Sequence, residues 1–263
     1  MVLSWEIQHP ITLEWFPLGE RGSVQEALIK QGVLPDPFYG ENEKEFQWIE
    51  AHQWHLRSRF FLTEELYNAS EVSLEFPCID TYASIVLNQK PILEASNYFR
   101  PYEIDIRSQL VLGYNVIEAL FTPPVLYHKN RYQKESFHYP APNDNAKIKA
   151  APLTRKPQYQ FGWDWAPRIN TLGFPYPVTV KAKEKKTVKR VVVNTLSIRD
   201  QAFMQMVLIK EHHTAAHRFQ SLQFGWSVLN DSTADQSIAF QIERPVLWWP
   251  VGEGEAYLYE DTI

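Results

Sequence analysis

Tyr102-Glu103-Ile104-Asp105-Ile106 alternates side-chain character without a break, and the reading of this stretch decides the fold class. Alternation with a period of two puts successive side chains on opposite faces of an extended backbone, as a half-buried strand requires. The same signal recurs on either side of it. Val72-Ser73-Leu74-Glu75-Phe76, Ala83-Ser84-Ile85-Val86-Leu87 and Val191-Val192-Val193 are short β-branched or aromatic-rich runs bounded by Pro, Asn and Gly. Gly113-Tyr114-Asn115 reads as a turn leading into a further strand, Val116-Ile117-Glu118-Ala119-Leu120-Phe121. One stretch departs from the pattern. Ser23 to Gly32 offers an N-cap, apolar residues at Val24, Ala27 and Leu28, and a closing glycine, which together predict a short helix. The sequence reads as all-β with one helical decoration.

The chain has 263 residues, above the usual size of one domain, so two domains are expected. Aromatic residues make up 14% of it, with nine Trp, which excludes a disordered chain lacking the apolar surface to offset ordering entropy. A formal net charge of −5 gives no electrostatic footprint for nucleic acid, so no nucleic-acid partner is expected. The single cysteine, Cys78, excludes an intrachain disulfide framework and a cysteine-based zinc cluster. There is no uninterrupted apolar run long enough to span a bilayer as a helix, and no membrane partner is expected. Met1-Val2-Leu3-Ser4-Trp5-Glu6 has neither a basic region nor an apolar core, so it reads as a first strand, and the expected location is cytoplasmic.

Two segments look like breaks. Tyr127 to Pro157 is polar, basic and interrupted by Pro, and reads as a long functional or mobile loop. Lys181-Ala182-Lys183-Glu184-Lys185-Lys186 is a charged run, read as a solvated strand end plus linker. The domain boundary is placed there, giving β-domains over 1–183 and 187–263, the second with the length and strand spacing of a small sandwich. His212-His213 and His217 have no accompanying cysteine or carboxylate cluster and read as a polar strand end or turn; no metal site is assigned.

The Trp residues are unevenly spread. Trp163 and Trp165 flank Asp164 between Gly162 and Pro167, Trp248 and Trp249 are adjacent before Pro250, and Trp48 and Trp54 follow Asp36-Pro37-Phe38-Tyr39-Gly40-Glu41-Asn42-Glu43. In a strand, Trp163 and Trp165 would share one face with Asp164 on the other. In a turn, which Gly162 and Pro167 favour, all three could converge. Indole faces stack on the C–H faces of a pyranose, and a carboxylate accepts two neighbouring hydroxyls as charge-assisted hydrogen bonds. The plainer reading makes the two Trp core residues, with Asp164 capping a turn or pairing with Arg168. The plain reading of Asp36 to Glu43 is a turn whose Asn42 and Glu43 satisfy backbone groups. Trp248-Trp249-Pro250 is expected to plug the end of the second sandwich.

Phe161-Gly162-Trp163-Asp164-Trp165-Ala166-Pro167-Arg168 resembles the FGWDWGPR signature of the β-mannosidases of glycoside hydrolase family 2. Further motifs match in the family's order. They are Leu34-Pro35-Asp36-Pro37-Phe38-Tyr39-Gly40-Glu41-Asn42-Glu43, Gln47-Trp48-Ile49 with Trp54, Asp80 to Asn88, Asn97 to Tyr102, and Leu247 to Gly254 with Leu258-Tyr259. The resemblance covers essentially the whole chain.

It implies a jelly-roll, galactose-binding-like β-sandwich over 1–183, then an immunoglobulin-like β-sandwich over 187–263. In that family a (β/α)8 barrel follows and supplies two glutamates that hydrolyse a terminal β-mannoside with retention, at a carboxyl separation of about 5–5.5 Å. The chain is expected to stop where the barrel would begin. No catalytic residue is therefore assigned within it, and on its own it is expected to be inactive. The resemblance assigns substrate contacts to Asp164, Trp163 and Trp165, and pocket bracing to Asn42, Glu43 and Arg168. The implied partners are a β-mannoside or other carbohydrate and the catalytic barrel. Glycoside hydrolysis by paired carboxylates needs no cofactor, and none is expected. The chain departs from the family at Ala166, where Gly is usual; at Glu20-Arg21-Gly22-Ser23-Val24-Gln25, which lacks the usual Pro and His; at Tyr176, where Arg is often seen; and at Asn88-Gln89 in place of Asn-Gly. Ala166 would strain the loop if the site needs a positive φ, and Asn88-Gln89 disfavours a tight primed turn. Two other readings stay open: a stand-alone carbohydrate-binding pair of β-domains, and a structural or partner-binding pair that kept only the fold.

Overall fold

The structure, a computed structural model, describes residues 1–182, 188–210, 217–220, 227–230 and 236–260. The chain divides into two compact units, Met1–Lys183 and Glu184–Ile263. It is all-β, built from antiparallel sheets with a few short helices.

In the first unit, β1 (Trp5–Gln8), β2 (Trp15–Gly19) and β3 (Gly22–Ser23) lead into α1 (Val24–Lys30). A 3-10 run, Asn42–Ala51, precedes β4 (Trp54–Leu62) and α2 (Glu64–Asn68). Then come β5 (Val72–Phe76), β6 (Tyr82–Leu87), β7 (Lys90–Ser96), β8 (Tyr102–Asp105), β9 (Gly113–Thr122), α3 (Pro124–Lys134), β10 (Gly173–Phe174) and β11 (Thr179–Ala182). The larger sheet runs in the order β2-β1-β4-β9-β6-β7, the smaller β11-β5-β8, and β10 pairs with β3.

Alternation explains which faces close on the core. Along β4, Trp54, Leu56, Phe60 and Leu62 are buried while Arg59 and Phe61 face out. β9 pairs with β4 from Trp54↔Phe121 to Leu62↔Gly113 and turns Ile117, Ala119 and Phe121 inward. Val72, Leu74 and Phe76 of β5 join the same cluster from the smaller sheet, which makes the unit a sandwich. Phe174 seals it, with ring centroids 4.4 Å from Trp5, 5.2 Å from Phe121 and 5.7 Å from Phe76. Trp5 and Trp54 are therefore core residues.

The predicted helix is α1. Ser23 caps it, accepting from the Glu26 amide, while the Glu26 carboxylate returns to the Ser23 amide at 2.7 Å, a complete capping box. Two expectations are corrected. The Tyr127–Pro157 stretch is not one loop, because its start belongs to α3: Pro124 presets φ at the first turn, and Arg131 and Lys134 complement the dipole in the last. Asn88-Gln89 does form the tight β6–β7 turn, with φ of 48° and 66° and Leu87 opposite Lys90. Asn88 makes this conformation accessible. Its side-chain amide donates to Asn115 Oδ1 at 2.8 Å and to the Gln109 carbonyl at 2.9 Å, while its Oδ1 accepts from the Val116 amide at 3.0 Å.

In the second unit, β12 (Val188–Ile198), β13 (Gln201–Lys210) and β16 (Gln236–Glu243) form an antiparallel sheet, and β14 (His217–Gln220) pairs with β15 (Ser227–Asn230). Ala202, Met206, Leu208 and Ile238 are buried. The boundary residues Glu184, Lys185 and Lys186, and likewise His212 and His213, lie outside the described residues. Trp248 and Trp249 do not plug a sandwich end. They are 57% and 47% exposed on a turn in which the Trp249 amide donates to the Glu255 carbonyl.

His128 of α3 lies against the core with Nε2 2.7 Å from the Tyr82 hydroxyl, and Tyr82 stacks on Tyr127 at 3.7 Å. Burial first, and then the charge of Arg131, hold the imidazole below its ordinary pKa. The unfolded chain therefore binds this proton more readily than the folded one. The stability is complete above the unfolded value of about 6.5 and declines as the pH falls below it. In urea titrations between about pH 7.5 and about pH 5.5, the stability gap between the parent chain and His128→Gln is expected to shrink on acidification.

Candidate functional site

The segment from Pro157 to Asn170 has almost no regular structure, so its shape comes from side chains. A 3-10 turn, Gln158–Phe161, ends at Gly162 with φ of 101°. A Cβ at Gly162 would stand 2.7 Å from the Asn143 carbonyl oxygen, so both the backbone and the space select glycine. Trp163 and Ala166 then exchange backbone hydrogen bonds of 3.1 and 3.3 Å, which closes a tight turn with Asp164 and Trp165 at its tip. The three predicted contact residues are all exposed, Trp163 at 47% and Trp165 at 67%. Tyr159 lies beside Trp165 with centroids 5.3 Å apart. The reading of Trp163 and Trp165 as core residues is thereby excluded. Asp164 pairs with neither Arg168 nor any other group among the described residues.

Arg168 does something else. It turns into the protein and makes a bidentate pair with Glu50, Nη1 to Oε1 at 2.6 Å and Nη2 to Oε2 at 3.0 Å, while its Nε donates to Asp144 at 3.2 Å. Gln47 accepts a short hydrogen bond from Nη1 and returns one to the Arg168 carbonyl at 2.8 Å. Burial alone would lower the guanidinium pKa, but the hydrogen bonds and charges of Glu50 and Asp144 outweigh it and raise it. Glu43 accepts from the Arg168 amide at 3.1 Å. Glu43 and Arg168 are thus brought together at the base of the turn. Asn42 is not part of that contact; its amide donates to the Asp36 carbonyl at 2.8 Å and braces the loop that exposes Phe38 and Tyr39.

A second buried pair lies at the other end of the segment. Lys156 Nζ is 2.8 Å from Asp80 Oδ1, and both side chains are almost wholly buried. Burial pulls the Lys156 pKa down and the Asp80 charge opposes it. Next to them Cys78 donates to the Tyr98 carbonyl at 3.1 Å, and burial, followed by the Asp80 charge, pushes its thiol up to about 12. A cleft of about 610 Å3 opens beside Asp80 and Thr171, between α1, Phe38 and Tyr98. Glu50, Asp144, Lys156 and Asp80 escaped the sequence reading. Asp80 opens the Asp80–Asn88 motif and Glu50 directly follows Gln47-Trp48-Ile49, but nothing local to either residue points to a buried ion pair. Among the described residues there is no cluster suited to a metal ion.

Residues 5–175 match the family described as glycosyl hydrolase 2 galactose-binding domain-like. This chain belongs to that family. Within the family's wider company it is similar to a β-mannosidase of Capra hircus, 26% identical over 99% of this chain and 32% of that protein. A β-mannosidase of Bos taurus is 32% identical over 68% of this chain and 21% of its own length. The crystal structure of a β-D-mannosidase from Dictyoglomus thermophilum superposes with a TM-score of 0.84 at 29% identity, covering 96% of this chain and 32% of that one. The chain thus spans a third or less of the length of these three relatives.

In this family member Ala166 is not strained. The non-glycine residues with positive φ among those described are Leu13, Asn88, Gln89 and Arg244. Gly162→Ala is expected to lower stability in urea unfolding by about 2 kcal/mol or more, whereas Ala166→Gly stays within about 1 kcal/mol of the parent. Glu50→Gln leaves Arg168 buried without its full counter-charge and is expected to cost about 3–5 kcal/mol in the same measurement.

Proposed function

We propose that the chain is the N-terminal part of a β-mannosidase-like retaining glycoside hydrolase acting on terminal β-D-mannosides. In this reading it supplies the scaffold and part of the substrate-pocket wall. The two glutamates that carry out the hydrolysis belong to a (β/α)8 barrel on a further segment of a longer protein.

The observation that carries the reading is the Trp163-Asp164-Trp165 turn. A carboxylate with no partner among the described residues stands between two exposed indoles, on a base fixed by the buried Arg168 pairs. Exposed aromatics on a rigid support are costly to present to water and suited to a sugar face. The Asp164 carboxylate would accept two adjacent hydroxyls of the mannosyl ring at the cleavage point, and the indoles would shape the wall around it. Such contacts hold the anomeric carbon in line with the barrel's carboxylates. Any of them that tighten as the ring flattens toward the transition state raise the rate as well as the affinity. Glu43 and Arg168 act beneath the turn, holding its backbone.

The test is hydrolysis of an aryl β-mannoside by the longer protein. Hydrogen bonds to a charged group contribute about 1.5–3 kcal/mol, so Asp164→Ala should lower kcat/KM by about 10- to 100-fold. An unchanged kcat/KM would remove Asp164 from the site. The purified 263-residue chain should show no turnover. If it instead binds mannose at submillimolar concentration, and loses that binding in Asp164→Ala, the stand-alone carbohydrate-binding reading takes its place.

A further inference from the structure

We propose that Lys156 is a positioning residue for the Trp163-Asp164-Trp165 turn, acting by closing the neck of the loop that carries it. The proposal deepens the sugar-contact reading of that turn and rests on it for its catalytic consequence.

The loop leaves the sandwich at Lys156 and returns at Thr171. The Lys156 ammonium donates to the Thr171 carbonyl at 2.6 Å, so one charged group at the start of the loop holds the backbone at its end. Asp80 completes the closure from outside the loop. Its Oδ1 faces the ammonium at 2.8 Å and accepts from the Thr81 hydroxyl at 2.7 Å, and its Oδ2 accepts from the Thr171 hydroxyl at 2.6 Å. Gln160, inside the loop, accepts from the Thr171 amide at 3.2 Å. Asp80 is itself tied to the sandwich by paired backbone hydrogen bonds of 3.0 Å with Gly173.

A buried ion pair adds little net stability over an apolar pair of the same volume, because desolvation offsets the attraction. A methionine could fill the Lys156 space. It could not hold two chain ends and a carboxylate in fixed directions, since only a donor with several N–H bonds does that. The pair's directional role is therefore separable from its contribution to the core: the Tyr98 amide holds the Arg155 carbonyl at 2.9 Å and Gln158 holds the Lys156 carbonyl at 3.2 Å, while the Lys156 ammonium ties this outgoing arm to Thr171 on the returning one.

The experiment compares the parent chain with the double variant Lys156→Met/Asp80→Asn, which removes both charges together and leaves no unpaired ion. With fluorotryptophan incorporated, the 19F resonances of Trp163 and Trp165 are expected to shift or broaden while those of the core residues Trp5 and Trp54 stay in place. Unchanged Trp163 and Trp165 lines overturn the proposal. Should the double variant not fold, Lys156→Gln/Asp80→Asn, a neutral polar pair whose side chain at 156 is one atom shorter than lysine and so falls short of the Thr171 carbonyl, carries the same comparison with the same two outcomes. In the longer enzyme, the double variant should lower kcat/KM for an aryl β-mannoside by about 10-fold, but by no more than about twofold when Asp164 is already alanine, because groups that act through one another are not additive. Full additivity overturns a role through Asp164. A parent enzyme without mannosidase activity defeats the functional reading alone, and the fluorine spectra still decide the closure of the neck.

Discussion

The bidentate pairing of Arg168 with Glu50, with Asp144 on the third side, is the constraint on which the candidate site depends. Three stretches remote in sequence meet at one guanidinium: the last turn of the 3-10 run, the Pro-rich stretch after α3, and the return arm of the Trp turn. A charge removed from water tolerates only the arrangement that satisfies it. That intolerance lets an irregular segment behave as though it belonged to a sheet. The planar fork of arginine meets both oxygens of Glu50 at once and so fixes the plane of that carboxylate, which the compact ammonium of a lysine would not.

The aromatic residues divide between two tasks, and the sandwich sets the division. Trp5, Trp54 and Phe174 fill the space between the sheets, where apolar area is withdrawn from water. Trp163 and Trp165 lie beyond the sheets, on a turn whose polar base excludes them from the core. Asp164 has no partner among the described residues because Arg168 is already satisfied from below. The neutralisation of one carboxylate's natural partner leaves another carboxylate available to solvent.

Much of the fold was legible in the sequence because strands write their burial locally. Tyr102 to Ile106 and Val72 to Phe76 alternate as they pair in β8 and β5, and Ser23 with Glu26 announces α1. α3 was missed because only Pro124 and His128 of it are buried, so its polar sequence carries little apolar periodicity. Asn88-Gln89 misled because the support for its left-handed backbone comes from Asn115, which pattern alone does not connect to it. At the site, the Trp turn was recognisable and its foundations were not. Glu50 is separated from Arg168 by 118 positions, and such a pairing has no local signature.

Cys78 has a practical consequence of its own. It is the chain's one thiol, it is buried, and its displacement to about 12 leaves almost none of it as the reactive thiolate at neutral pH. This thiol is therefore expected to react slowly with mild alkylating reagents. A cysteine introduced at the tip of the Trp turn would be the chain's single exposed thiol, so a thiol-directed spectroscopic label could be attached there without first removing the native residue.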